Sequence, residues 1–443
     1  MTNPTTQFAF KNTTSSSTVY AYVTGQDINK DNAYAFLQAD GVTLYYPESP
    51  SQTLQPLAVD CAIPLGAPGT TKTVTIPQLA GGRIWFVVGD KLTFYINPGP
   101  GIVEPSVTNT DDANYNLNWA FCETKFTNGH NPDNQDQLFV NISYVDFVSL
   151  PIALELLNTS GQTQVVQGLP TDGLDQICAQ LTAQGASENP GWAELVIKGP
   201  DGNNLRAMSP NSGRIANSGL FDGYYQSYVD TAWAKYSAAD LSIDTQGQWG
   251  VLTGRVCAAS GLLSFGDAVG AFAKPSATDV FSCSTGPFGN YPAATVEEMG
   301  AIGARLAAAL NRSTLVSDAN QPDGALEADG ALNYYQTNPT NHYARIVHGV
   351  NLDGRGYAFP YDDVVPTGAT GPDQAGTVYD GSPQLLTVTV GGPGSGSGAG
   401  RREDGRDGVG GGEKKKKGKK TRLDISGFFK KVMAMFKGIF HHK

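Results

Sequence analysis

Two acidic residues stand in otherwise apolar stretches, where a carboxyl is well placed to exchange protons. Glu123 lies in NWAFCETKF and Asp146 in NISYVDFVSLPI, flanked by Val145, Phe147 and Val148. Taken singly, an acid in an alternating strand simply points to water. Taken together, two carboxyls facing one groove can cut a glycosidic bond, one giving a proton to the leaving oxygen while the other acts on the opposite side of the ring. Few other chemistries are open to this chain. Of its five histidines two sit in the tail, and no H-E-x-x-H pattern is present, so no metal site is expected. Five widely spaced cysteines form no C-x-x-C pair and are expected mostly as buried apolar fillers, with one or two disulfides left open. There is no G-x-S-x-G elbow, Walker loop or strand-anchored G-x-G-x-x-G, and no cofactor is expected.

The elements that must position the pair are mostly strands. From residue 18 to about 157 the chain alternates or runs apolar in short pieces (TVYAYVTG, VTLYYP, KTVTIP, GRIWFVVGD, KLTFYINP) bounded by Gly, Pro, Asn and Asp. That pattern predicts a sandwich or barrel. A loop from Thr127 to Gln137 would join the strands carrying Glu123 and Asp146 into an antiparallel hairpin, with both acids on one face. After Pro170 the period changes: Leu174, Ile177, Cys178 and Leu181 follow helical spacing, and LFDGYYQSYVDTAWAKYS and TVEEMGAIGARLAAALNRS read as longer helices, the latter opening like a capping box. ELVIK, QWGVLTGRV and DVFSCS read as strands between them. One late strand, QLLTVTVGG, must return to the β part. The expected fold is therefore mainly β with α/β: a β-sandwich or barrel domain from residues 1–170 plus 345–391, and a mixed α/β domain at 171–344 inserted into it.

Composition agrees with a turn-rich globular protein: 443 residues, 40% hydrophobic, with 53 Gly and 26 Pro. The net charge of −11 hides an uneven distribution, because lysines and arginines are concentrated in the tail and the body is strongly acidic. Such a body repels phosphate backbones, so no nucleic acid is expected as partner, whereas a neutral polysaccharide suits it. MTNPTTQFAFKN has neither the basic nor the apolar region of a signal peptide, and no stretch is apolar enough to span a bilayer. Residues 392–422 read as a Gly-rich and basic linker, and residues 423–443 as a basic amphipathic helix with Phe428, Val432, Phe436 and Phe440 on one face. The segment 414–443 suits an anionic membrane surface or a partner protein.

NWAFCETKF, NISYVDFVSLPIALEL and NHYARIVHGVNLDGRGYAFPYDDV, in this order, resemble glycoside hydrolase family 64, the β-1,3-glucanases related to thaumatin-like proteins. The resemblance covers about residues 5–391 and leaves out linker and tail. It implies a thaumatin-like β domain beside an α/β domain, a wide acidic groove between them, and inverting hydrolysis of β-1,3-glucan without cofactor. Matched motif by motif, it makes Glu123 the general acid and Asp146 the general base. Thr124, Lys125 and Asn141, on the acids' own strands, are expected to bind sugar hydroxyls, and Tyr361, Asp362 and Asp363 to line the groove. Tyr144, Trp119, Trp192 and Trp233 read chiefly as core, with sugar stacking as the alternative. His342 and His348 are expected to pack or cap. The alternative to an enzyme is a non-catalytic thaumatin-like β-glucan-binding protein. A monomer is expected, and the family implies an extracellular or cell-wall location despite the missing signal peptide.

Overall fold

The computed structural model describes residues 4–128, 136–324, 333–367 and 374–393. The linker and amphipathic helix expected after residue 392 lie almost wholly outside the described residues. Within them the protein is mainly β, with several sheets and seven α-helices.

Two sheets form the β part. One has five strands in the order Thr163–Val166, Ile152–Asn158, Pro383–Val390, Thr5–Asn12, Thr71–Pro77. The other has eight, running Thr377–Asp380, Asp136–Ile142, Asn118–Asn128, Leu79–Val88, Val19–Asp27, Ala33–Leu37, Leu44–Tyr45, with Ile63–Pro64 attached to Val19–Asp27. Their inner faces share one apolar core: Phe8, Phe10, Leu154, Leu156, Leu386 and Val388 from the first meet Val23, Ile84, Phe86, Cys122, Leu138 and Val140 from the second. Phe10 meets Phe86 edge to face at 5.5 Å. Alternation along each strand places these residues inward, which is what makes a sandwich the stable solution.

The late segment contributes a strand to each sheet. Pro383–Val390 inserts between Ile152–Asn158 and Thr5–Asn12, parallel to the latter, as the sequence anticipates. Thr377–Asp380 pairs with Asp136–Ile142 at the edge of the larger sheet, a strand the sequence reading does not contain.

The predicted helices fall at Gly173–Ser187, Gln226–Ala238 and Val296–Arg312, burying Ile177, Cys178 and Leu181 in the first. Two local expectations fail. Thr295 makes no side-chain cap to the last helix, and the capping box sits instead on Ser276 and Asp279. That box turns part of the predicted strand DVFSCS into the helix Ala277–Ser282: a short apolar run has no period of its own, and the reciprocal bonds at its start decide the outcome.

All five cysteines are free; Cys257 is exposed and the other four are buried. Among the described residues no helix is long and apolar enough to cross a membrane.

Candidate active site

The outer face of the eight-stranded sheet is divided. Over its first part lies a second, strongly aromatic core that includes Tyr22, Trp85, Phe94, Trp119, Phe121 and Phe147, covered by the segment carrying the small strands Tyr95–Asn97 and Gly101–Val103. Trp85 meets Phe121 at 5.0 Å, and Phe147 meets Trp119 at 4.7 Å. One residue pair further along, the sheet turns polar: Thr24, Arg83, Glu123, Asn141 and Thr377 are successive cross-strand partners. Directly opposed residues project from the same face, so this register makes a polar row where the aromatic cover ends.

Glu123 stands in that row with its side chain 37% exposed. Its strand alternates as expected: Glu123 and Lys125 are half-buried, while Thr124 between them is buried. Thr124 therefore departs from the expected sugar-binding role. Its side chain shares the inner face with Cys122 and Phe126, opposite to Glu123.

Asp146 is also positioned differently from the expectation. The hairpin exists, pairing Asn118–Asn128 with Asp136–Ile142, but its second strand ends before Asp146. Tyr357 captures the chain there, donating its N–H to Ile142 O (3.0 Å) and accepting from Tyr144 N–H (2.7 Å). Asp146 follows in a bend, its carbonyl held by Ser209 N–H at 2.9 Å, and Phe147–Val148 then pairs with Asn204–Met208 in a third sheet. Asp146 thus sits on a crossover between sheets. Phe121, two residues before Glu123, and Phe147, next to Asp146, pack 6.0 Å apart in the same aromatic core and so fix both acids relative to one anchor.

Two further charged groups belong here. Arg83, beside Glu123 on the next strand, places Nη2 3.6 Å from Glu123 Oε1 and pairs closely through Nη1 with Glu104, at the end of the covering segment. Its guanidinium lies over Phe121 (4.8 Å) and Trp85 (5.5 Å). Arg83 was legible as a lone cation in the apolar run GGRIWFVV; no local signal could have brought Glu104 to the site.

Burial pushes the Glu123 carboxyl above the usual carboxylate range; Arg83 pulls it back, and the charges of Asp146 and Glu104 push it further up. Burial also raises Asp146, against the pull of Arg83. Glu104 is raised by burial too, again opposed by Arg83. One guanidinium thus serves three carboxyls, and the site holds protons more readily than an open surface does.

The remaining candidates separate into two groups. Asn141, directly opposite Glu123, hydrogen-bonds its carboxylate and stays at the site. Lys125 opposes Phe139, which opposes Tyr379, and these two rings stack at 5.6 Å. Tyr379 is 42% exposed. Asp363 is half-buried and accepts a hydrogen bond from Tyr357 OH (3.0 Å), so the FPYDD loop touches the segment holding Asp146. Tyr361 is buried in the main core. Asp362 is fully buried, its carboxylate engaged by Arg312, His348 and the Ala358 N–H. An acid enclosed in this way supports the loop and presents nothing to a sugar. Tyr144, Trp119, Trp192 and Trp233 are all buried, as core residues should be.

The chain belongs to the glycoside hydrolase 64 family, described as β-1,3-glucanase, whose sequence model matches residues 4–390. It is 30% identical over 322 residues to a glucan endo-1,3-β-glucosidase of Arthrobacter sp. (strain YCWD3) and 29% identical over 331 residues to one of Cellulosimicrobium cellulans. Each alignment takes in 72% of this chain and 53% of the relative, so the chain spans about half the length of the curated relatives it matches. Among solved structures it is similar to a laminaripentaose-producing β-1,3-glucanase in complex with laminaritetraose: 28% identity, TM-score 0.73, 87% of this chain and 98% of that one.

Proposed function

We propose that the protein hydrolyses internal bonds of β-1,3-glucan with inversion, Glu123 acting as general acid and Asp146 as general base. The observation that carries this reading is Glu123 beside Arg83 and Asp146 on the adjoining crossover, both next to rings that pack together in one aromatic core, in a chain of this family. Burial raises both carboxyls, and the charge of Asp146 adds to the upward push on Glu123, which suits Glu123 to the role of acid and leaves that of base to Asp146. A protonated Glu123 delivers its proton to the leaving oxygen, and ionised Asp146 takes one from the attacking water. The similar enzyme that holds laminaritetraose supports a β-1,3-linked glucose chain as substrate.

Asn141 and Lys125 are assigned to sugar hydroxyls, beside Glu123 on the same face. The stacked Phe139–Tyr379 pair offers a flat apolar surface next in line, suited to a pyranose ring. Replacing Tyr379 by Ala is expected to raise KM for a soluble β-1,3-glucan by about 2- to 10-fold with kcat nearly unchanged, which initial-rate kinetics will read. Asp363 orients Tyr357 and through it the Asp146 segment. The arrangement we favour places residues 1–170 plus 345–391 in one domain and 171–344 in another, with the glucan in a groove between. Membership of this family supports a secreted or wall-associated location, and we favour a monomer.

The test follows the full chain on linear β-1,3-glucan by proton NMR within the first minutes. Initial release of the α-anomer is expected. Initial β-anomer would keep hydrolysis and remove the inverting pair. Glucan binding without release would make this a thaumatin-like binding protein instead.

A further inference from the structure

The Arg83 guanidinium is shared unequally. It pairs closely with Glu104, yet stands 3.6 Å from Glu123, beyond ordinary hydrogen-bonding reach. Its plane is fixed from below by the rings of Phe121 and Trp85. Arginine's planar fork is built to grip one carboxylate with two parallel bonds, and a carboxylate gripped so is held ionised. Glu123 is the direct cross-strand neighbour of Arg83 and would be the natural recipient of that grip. Glu104 instead reaches in from the covering segment, 31% exposed, and pairs with Nη1 of the same fork, leaving Nη2 as the nitrogen nearest Glu123.

We propose that Glu104 is a positioning residue for the hydrolysis: by holding the Arg83 guanidinium it denies Glu123 a close ion pair and so leaves Glu123 able to carry the proton it must deliver. The inference rests on the reading of Glu123 as general acid. The charged and titratable groups facing Glu123 come from every neighbouring element: Arg83 from the adjacent strand, Glu104 from the cover, Asp146 from the crossover and Tyr357 from the FPYDD loop. Lys125 lies two residues along on its own strand. Among these Arg83 is the cation whose position another acid fixes. A purely structural Glu104 would clamp the cover to the sheet and leave the proton affinity of Glu123 alone.

The two roles separate in the pH dependence of kcat/KM on a soluble β-1,3-glucan, measured on the full chain. The alkaline limb reports loss of the proton from the acid. In Glu104→Gln the freed guanidinium closes on Glu123, and the alkaline limb is expected to move down by about one pH unit. Glu104→Asp, which keeps the charge, should restore the wild-type limb. Arg83→Gln should move the limb the other way, to higher pH, and serves as second variant should Glu104→Gln not fold. A limb that stays in place in Glu104→Gln, or in Arg83→Gln where Glu104→Gln does not fold, or that moves equally in Glu104→Gln and Glu104→Asp, overturns the proposal. Glu123→Gln run in parallel distinguishes the failures: an inactive Glu123→Gln beside an unshifted Glu104→Gln removes only Glu104, whereas an active Glu123→Gln removes the acid assignment itself and this proposal with it.

Discussion

Replacing Asp146 by Asn is expected to reduce glucan hydrolysis by about 10²- to 10⁴-fold while leaving glucan affinity within a few-fold of the parent. The amide keeps the shape of the side chain and its place on the crossover, but it cannot take a proton from water. The loss should therefore fall on kcat and kcat/KM together and leave binding largely alone. Reducing-sugar release measures the first, and isothermal titration with a laminari-oligosaccharide the second. A variant that still turns over within tenfold of the parent would remove Asp146 from the mechanism. Loss of binding with loss of turnover would mean that the crossover itself had moved. Stability gives an independent sign. Burial raises the native pKa of Asp146, so folding is favoured by its proton and weakened as pH rises above the ordinary carboxyl value near 4. An amide has no proton to lose there, so Asp146→Asn should melt at or above the parent temperature at neutral pH. A variant that is inactive yet no less stable is the signature of a group kept for chemistry at a structural cost.

The same residues show what the sequence could and could not disclose. Strand alternation was legible, and with it the half-exposed Glu123 in a sheet and the return of Pro383–Val390. Alternation also contained the correction for Thr124, since adjacent strand residues face opposite ways and Thr124 cannot share a face with Glu123. The bend at Asp146 was not legible. NISYVDFVSLPI reads as one strand, and what ends the pairing is the backbone of Tyr357, more than two hundred residues away in sequence. Glu104 was hidden for a related reason: its partner is set by how a covering segment lies on a sheet, and no local spacing encodes that. The aromatics divide in the same way: Trp119, read chiefly as core, is buried, whereas the exposed ring of Tyr379 lies on a short edge strand the sequence reading did not contain.

Asp362 was expected to face substrate, and its actual surroundings give the largest expected effect on stability. Its Oδ1 lies 3.1 Å from Arg312 Nη2, and its Oδ2 lies 2.9 Å from both His348 Nε2 and Ala358 N. Arg312 closes the helix Val296–Arg312 and His348 stands on His342–Val350, so one carboxylate ties two helices to the loop that follows Tyr357. The Arg312 guanidinium is itself enclosed, over Tyr334 at 4.2 Å and Phe359 at 5.3 Å, and also donates to Asp362 O (2.8 Å). Asp362→Asn leaves that cation buried without its counter-charge, which costs about 3–5 kcal/mol, a large share of an ordinary folding stability. Urea unfolding at pH 7 should show it as a lower midpoint. The pH dependence follows from the direction of the shift. Burial would raise the Asp362 pKa, but His348, Arg312 and the Ala358 N–H together hold it below the usual range. Its stabilisation is therefore complete above the unfolded carboxyl value near 4 and is lost as pH falls through the lower native value, so parent and Asp362→Asn should converge in acid. Removing both charges, as in Asp362→Leu with Arg312→Met, should recover part of the loss, because an apolar pair leaves no ion unpaired. A fully stable Asp362→Asn with a raised KM would instead return Asp362 to the substrate-binding role.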